Sequence, residues 1–154
     1  MTARRTAAAP GGAGDLPDLN VWLALALVEH PHHRAAQAYW YETAAKRIWF
    51  CRVTMLGLVR LLTQPKLMGK ATLGLHDAFD LYLRFAALPE VGLCAELPDC
   101  ESMLTALLGP NLPARLWTDA YLAAFAASGN LRLVTFDKDF ARFEGVQRLH
   151  LSLR

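Results

Sequence analysis

Short runs of strand-forming residues recur along this chain with helical stretches between them, and that alternation constrains the fold most. Residues 48–53 read IWFCRV, apolar apart from Arg52, as in a strand covered on both faces. Residues 91–95 form a second such run, 131–136 the cleanest, and 147–151 the last. A short apolar approach at 16–19 leads into Asp18. The spacing of apolar residues predicts helices over 20–29, 33–46, 55–62, 75–88, 100–108 and 117–128. Pro31 stops the first, Thr54 caps the third, Asp99 can cap the fifth, and Gly129-Asn130 ends the last. Strands joined through helices imply crossover connections, hence an α/β fold with a central, mostly parallel sheet.

The 154 residues fit one domain, expected over 16–154, with no internal repeat. Residues 1–15 are rich in Ala, Gly and Pro and lack the apolar centre of a secretory signal, so a disordered lead-in is expected there. Hydrophobic residues make up 54%, which argues for a partner or self-association surface. No apolar run approaches the roughly 18 residues that a membrane span needs. Cys51, Cys94 and Cys100 lack any metal-type spacing and read as reduced, buried thiols of a cytoplasmic protein. A net charge of +2 neither announces nor resists nucleic-acid binding.

In open α/β sheets, ligands bind beyond the carboxyl ends of the strands. Three aspartates fall where that edge should be. Asp18 follows the first apolar stretch, Asp137 follows the 131–136 strand, and Asp119 sits in the first turn of the alanine-faced helix. Carboxylates crowded together repel one another unless a cation neutralises them. Oxygen ligands suit Mg²⁺ or Mn²⁺, and a metal so held can activate water against a phosphodiester. Each acid also has an ordinary explanation: Asp18 and Asp119 as helix-start residues, Asp137 as a turn residue.

The motifs carry a resemblance. LPDLNVWLAL from Leu16, WTDAYLAAFA from Trp117 and LVTFDKDF from Leu133 resemble, in order and spacing, the acidic motifs of PIN-domain ribonucleases, specifically VapC-type toxins. The likeness covers essentially the whole chain after Leu16. It implies a PIN-like α/β/α sandwich and a Mg²⁺-dependent endoribonuclease. It also implies a homodimer and a cognate antitoxin partner. Asp18, Asp119 and Asp137 match the family's metal-binding acids, with Asp139 a nearby acid for a ligand water and Asn20 expected to orient Asp18. One departure matters: the family's usual glutamate, three residues past a Ser/Thr, is here Gly57 in TMLGLVR from Thr54. This resembles a Thr-x-x-Gly-x-x-Arg variant of the family, and leaves three aspartates and waters to hold the metal. Thr54 and Arg60 are then candidates near the site, Arg60 either for a substrate phosphate or for a structural salt bridge. The alternative reading is a catalytically weak or inactive PIN-like module that binds RNA or protein. A receiver-like domain with a phosphoryl-accepting aspartate needs an acidic pair beside the first strand, which Asp15 and Asp18 supply poorly.

Other features fall to structure. Pro31 breaks any helix that could align His30, His32 and His33 on a metal, so a solvated loop is expected. Tyr39-Trp40-Tyr41 divides between core and surface, and Lys66, Lys70 and Arg84 read as solvated basic residues.

Overall fold

Five three- or four-residue strands pair in the order β3-β2-β1-β4-β5, and every pairing is parallel. They are β1 (Asp15–Pro17), β2 (Ile48–Phe50), β3 (Val91–Leu93), β4 (Arg132–Thr135) and β5 (Arg148–His150). The helices between them are α1 (Leu19–Ala26), α2 (His33–Ala38), α3 (Arg52–Leu62), α4 (Pro65–Met68), α5 (Leu75–Ala86), α6 (Cys100–Leu107) and α7 (Trp117–Ser128). The computed structural model describes residues 14–153, so most of the expected lead-in lies outside the described residues. Its boundary shifts, because Asp15 opens β1 and is fully buried.

Side-chain alternation sorts the core into two layers. Along β2, Trp49 joins Leu16, Leu133 and the α6–α7 side, while Ile48 and Phe50 join Trp22, Leu58 and Tyr82 on the α1–α3–α5 side. Parallel strands buried on both faces read as unbroken apolar runs for this reason. Ala120, Ala123, Ala124 and Ala126 of α7 are fully buried, which lets that helix approach the sheet closely.

Element ends differ from the sequence pattern where side chains intervene. The helix expected over 33–46 loosens into a π turn at Tyr39–Thr43 and stops, with Ala44 N donating to Tyr39 O at 2.9 Å. The next amide, Ala45 N, donates to the Asp15 carboxylate rather than back up the helix. Helix α3 starts three residues earlier than expected, with Cys51 as its N-cap. Thr54 does serve the cap, but from inside the first turn: its Oγ1 accepts from Cys51 N at 3.0 Å and donates to Cys51 O at 3.1 Å. The first helix ends at Ala26, short of the expected 29. Asn130, with φ +50, takes the left-handed turn after α7.

The chain runs outward from β1 through β2 to β3, then returns to the far side of β1 for β4 and β5. Strand order therefore reverses between β1 and β4, and the crevice past their carboxyl ends is where such sheets bind ligands. At the opposite end of β1, Asp15 accepts from Arg132 Nε (2.8 Å) and Nη2 (2.9 Å), Tyr39 Oη (2.7 Å) and Ala45 N (2.9 Å). Removing one partner of a buried pair strands the other's charge. Arg132→Met is therefore expected to lower unfolding free energy by about 3 kcal/mol in urea titrations. Arg84→Ala, which breaks the exposed pair with Asp80, should leave the midpoint in place.

Candidate active site

Asp18 closes β1 and caps α1. Its backbone N donates to Val134 O at 2.8 Å, fixing it against β4. Its Oδ1 accepts from Leu19 N at 2.6 Å, and its Oδ2 accepts from Thr135 Oγ1 at 3.0 Å. The Thr135 hydroxyl also accepts from Asp137 N at 2.9 Å, so one buried side chain ties Asp18 to the strand end that carries Asp137. Asp137 Oδ1 in turn accepts from Asp139 N at 2.8 Å and caps the turn Lys138–Arg142. Asp119 stands in the first turn of α7, half-buried, its carboxylate accepting no hydrogen bond among the described residues.

These carboxylates are near enough to act on one another's charge. Burial pushes the Asp18 carboxyl up to about 6; the charges of Asp119 and Asp137 push the same way, against the Thr135 and Leu19 hydrogen bonds. Asp119 is pushed up to about 6 by burial, then by Asp137 and Asp139, with Arg115 opposing. Among the described residues no Lys, Arg or His pairs with Asp18, and Arg115 pairs only with Asp139, at 2.9 Å. As they stand, no three His, Cys, Asp or Glu side chains among the described residues are gathered closely enough to hold a metal ion. The donor chemistry nonetheless fits a hard cation: oxygens only, negatively charged, and short of positive charge.

The helix-start and turn roles of these acids are real and coexist with their convergence. Asn20, by contrast, is exposed and makes no hydrogen bond to Asp18; it points away from the core as the second residue of α1, and Thr135 does the orienting instead. Thr135 was missed in the sequence, although its place two residues before Asp137 is where such a hydroxyl would sit. Thr54 is fully buried with its hydroxyl spent on the α3 cap, so it does not reach the site. Arg60 makes no salt bridge among the described residues; it rims an apolar groove between α3 and α5 with Met55, Leu56, Val59 and Phe79. At Gly57, an added Cβ would lie 2.8 Å from Leu19 Cδ2, so Leu19 already fills the space that a glutamate there would enter.

A sequence model of the PIN domain matches residues 16–146. The chain belongs to the PIN-domain family. Within it, the chain is 40% identical over 139 residues to the ribonuclease VapC41 of Mycobacterium tuberculosis strain H37Rv, covering 86% of this chain and 94% of that relative, which makes it a PIN domain of the VapC type. The fold matches VapC20 of M. tuberculosis, a Sarcin-Ricin loop cleaving toxin, with a TM-score of 0.65 at 17% identity over 86% of this chain and 95% of that one. It also matches a chain of the Rickettsia felis VapBC2 complex bound to a promoter DNA fragment, with a TM-score of 0.62 at 11% identity over 92% and 100% of the two chains. No helix of this PIN domain, among the described residues, is long and apolar enough to cross a membrane.

The raised carboxyls give the domain a definite pH response. Below about pH 3, Asp18 is protonated in both folded and unfolded chains. As pH rises, the unfolded chain ionises first, near 3.8, and folded stability falls until pH passes the folded value of about 6. In metal-free buffer, Asp18→Asn is expected to remove roughly 3 kcal/mol of that decline between pH 3 and 7, read from urea unfolding at each pH. A decline as steep as that of the parent chain would refute the burial of this charge.

Proposed function

We propose that this PIN domain is the endoribonuclease toxin of a VapBC-type toxin–antitoxin pair, cutting RNA with a divalent cation, Mg²⁺ or Mn²⁺, held by Asp18, Asp119 and Asp137. The observation that carries the reading is that these carboxylates lie close enough at the strand-order reversal to raise one another's proton affinity, while none of the three forms an ion pair among the described residues. The relatives named ribonuclease support the reaction class, and the VapBC structures of like fold support an antitoxin partner.

Bound there, a divalent cation supplies positive charge against a phosphoryl oxygen and acidifies water in its shell. The chain's own residues do the rest. Asp18 is fixed by Leu19 N and Thr135, so its carboxylate is oriented before any ion arrives. Asp119 and Asp137 are half-buried and can close on the ion from α7 and from the end of β4. Asp139 lies next in line to hold a water, in exchange for its contact with Arg115. With Asp18 and Asp119 ionising near pH 6, the site is largely deprotonated at neutral pH, as cation binding requires. No covalent intermediate on the protein is involved.

The exposed leucines and Phe79 along α3 and α5 support the homodimer, since apolar side chains such as Leu56, Leu75 and Leu83 stand in water in one copy. Free, buried Cys51, Cys94 and Cys100 suit a reducing cytoplasmic setting.

With structured RNA and Mn²⁺, the protein is expected to cut in a manner abolished by chelator. Asp18→Asn and Asp137→Asn should each lower kcat/KM at least about 100-fold, the scale for removing one preorganised electrostatic group. Uncut RNA in every metal would favour the binding-module reading that Gly57 raises. Thr135→Val, which loses both hydrogen bonds, should weaken Mn²⁺ binding about 10- to 100-fold by calorimetry, while Thr135→Ser keeps it.

A further inference from the structure

Arg115 is a cation placed among the acids without belonging to their scaffold. It comes from the short turn Ala114–Leu116 just ahead of α7, and its Nη1 donates to Asp139 Oδ2 at 2.9 Å. Its charge also acts on Asp137 and Asp119, and among the described residues it is the one group that opposes the upward push of the neighbouring carboxylates on Asp119. Yet the side chain is 65% exposed, and one of its five donors makes the contact. An ion pair so exposed is weak and readily exchanged. A guanidinium fork suits a phosphate as well as a carboxylate. An RNA strand entering this crevice meets four carboxylates that repel it, and Arg115 stands at their rim with donors to spare.

We propose that Arg115 is an exchangeable phosphate anchor: it rests on Asp139 in the free protein and passes to a backbone phosphate of a bound RNA strand, releasing Asp139 toward the acidic cluster. The identity of the ligand rests on the nuclease reading given above. Asp139 and the RNA then compete for one guanidinium, so the two residues are coupled in a way that general charge repulsion does not reproduce.

The test is binding of a fluorescein-labelled single-stranded RNA 20-mer to the full chain, by anisotropy in EDTA across a salt series. Arg115→Gln is expected to weaken binding and to reduce the slope of log K against log salt by about 0.7, the share of one phosphate contact on a single strand. Arg115→Lys, which keeps the charge, should retain the slope. Asp139→Asn should tighten binding about two- to fivefold, the range an exposed ion pair supports, and the gain should vanish when Arg115→Gln is added. An unchanged slope in Arg115→Gln overturns the anchor, and so does a gain from Asp139→Asn that survives without Arg115. Cleavage after Mn²⁺ addition is scored separately. A chain that cuts RNA but ignores Arg115 defeats the anchor alone, and one that binds through Arg115 but never cuts defeats the nuclease reading alone.

Discussion

Burial of carboxylates that also repel one another, at the carboxyl ends of β1 and β4, is the constraint on which this structure turns. Asp18 is buried at the start of a helix, where the backbone amides and the dipole favour its charge, and Thr135 adds a hydrogen bond. Those supports do not suffice: the carboxyl still sits at about 6 because burial and two neighbouring acids outweigh them. The two ends of one three-residue strand make the contrast plain. Asp15 is as buried as Asp18, but a bidentate Arg132, a tyrosine hydroxyl and an amide neutralise it within the chain. Asp18 pairs with no cation among the described residues. The fold supplies the positive charge at one end of β1 and withholds it at the other.

What holds the uncompensated end together is the parallel pairing of β1 with β4 and the layers on either side of it. Asp18 N on Val134 O and Thr135 Oγ1 on Asp18 Oδ2 bind the two strand ends at the point where the chain reverses direction through the sheet. Hydrogen bonds therefore pin the cluster at Asp18, whereas the Asp119 carboxylate makes none among the described residues. The position that Gly57 leaves without an acid is packed by Leu19, the residue after Asp18, so the departure from the family's usual pattern is accommodated by an apolar contact rather than by a void.

Much of this was legible in the sequence, and what was not has local causes. The alternation of apolar runs and helical spacing fixed the α/β class, because buried parallel strands cannot hide their composition. Asp18, Asp119 and Asp137 could be placed at one edge because each directly follows a strand or opens a helix. Element ends were less legible: the π turn at Tyr39–Thr43 depends on Ala45 N finding Asp15, thirty residues away in sequence. Thr54 looked like an N-cap and acts from within the helix instead. The family resemblance points to Asn20 as the partner of Asp18, whereas the hydroxyl that holds Asp18 comes from Thr135, 117 residues away. Side-chain partners across a parallel sheet leave no periodic trace in the sequence.

The account is tested most directly by anomalous scattering from crystals of the metal-free protein soaked in Mn²⁺ near pH 7.5. One strong anomalous peak bounded by the carboxylates of Asp18, Asp119 and Asp137 is the expected result. A crevice without a peak at saturating Mn²⁺, or a peak held by other residues while these three stay apart, would contradict it.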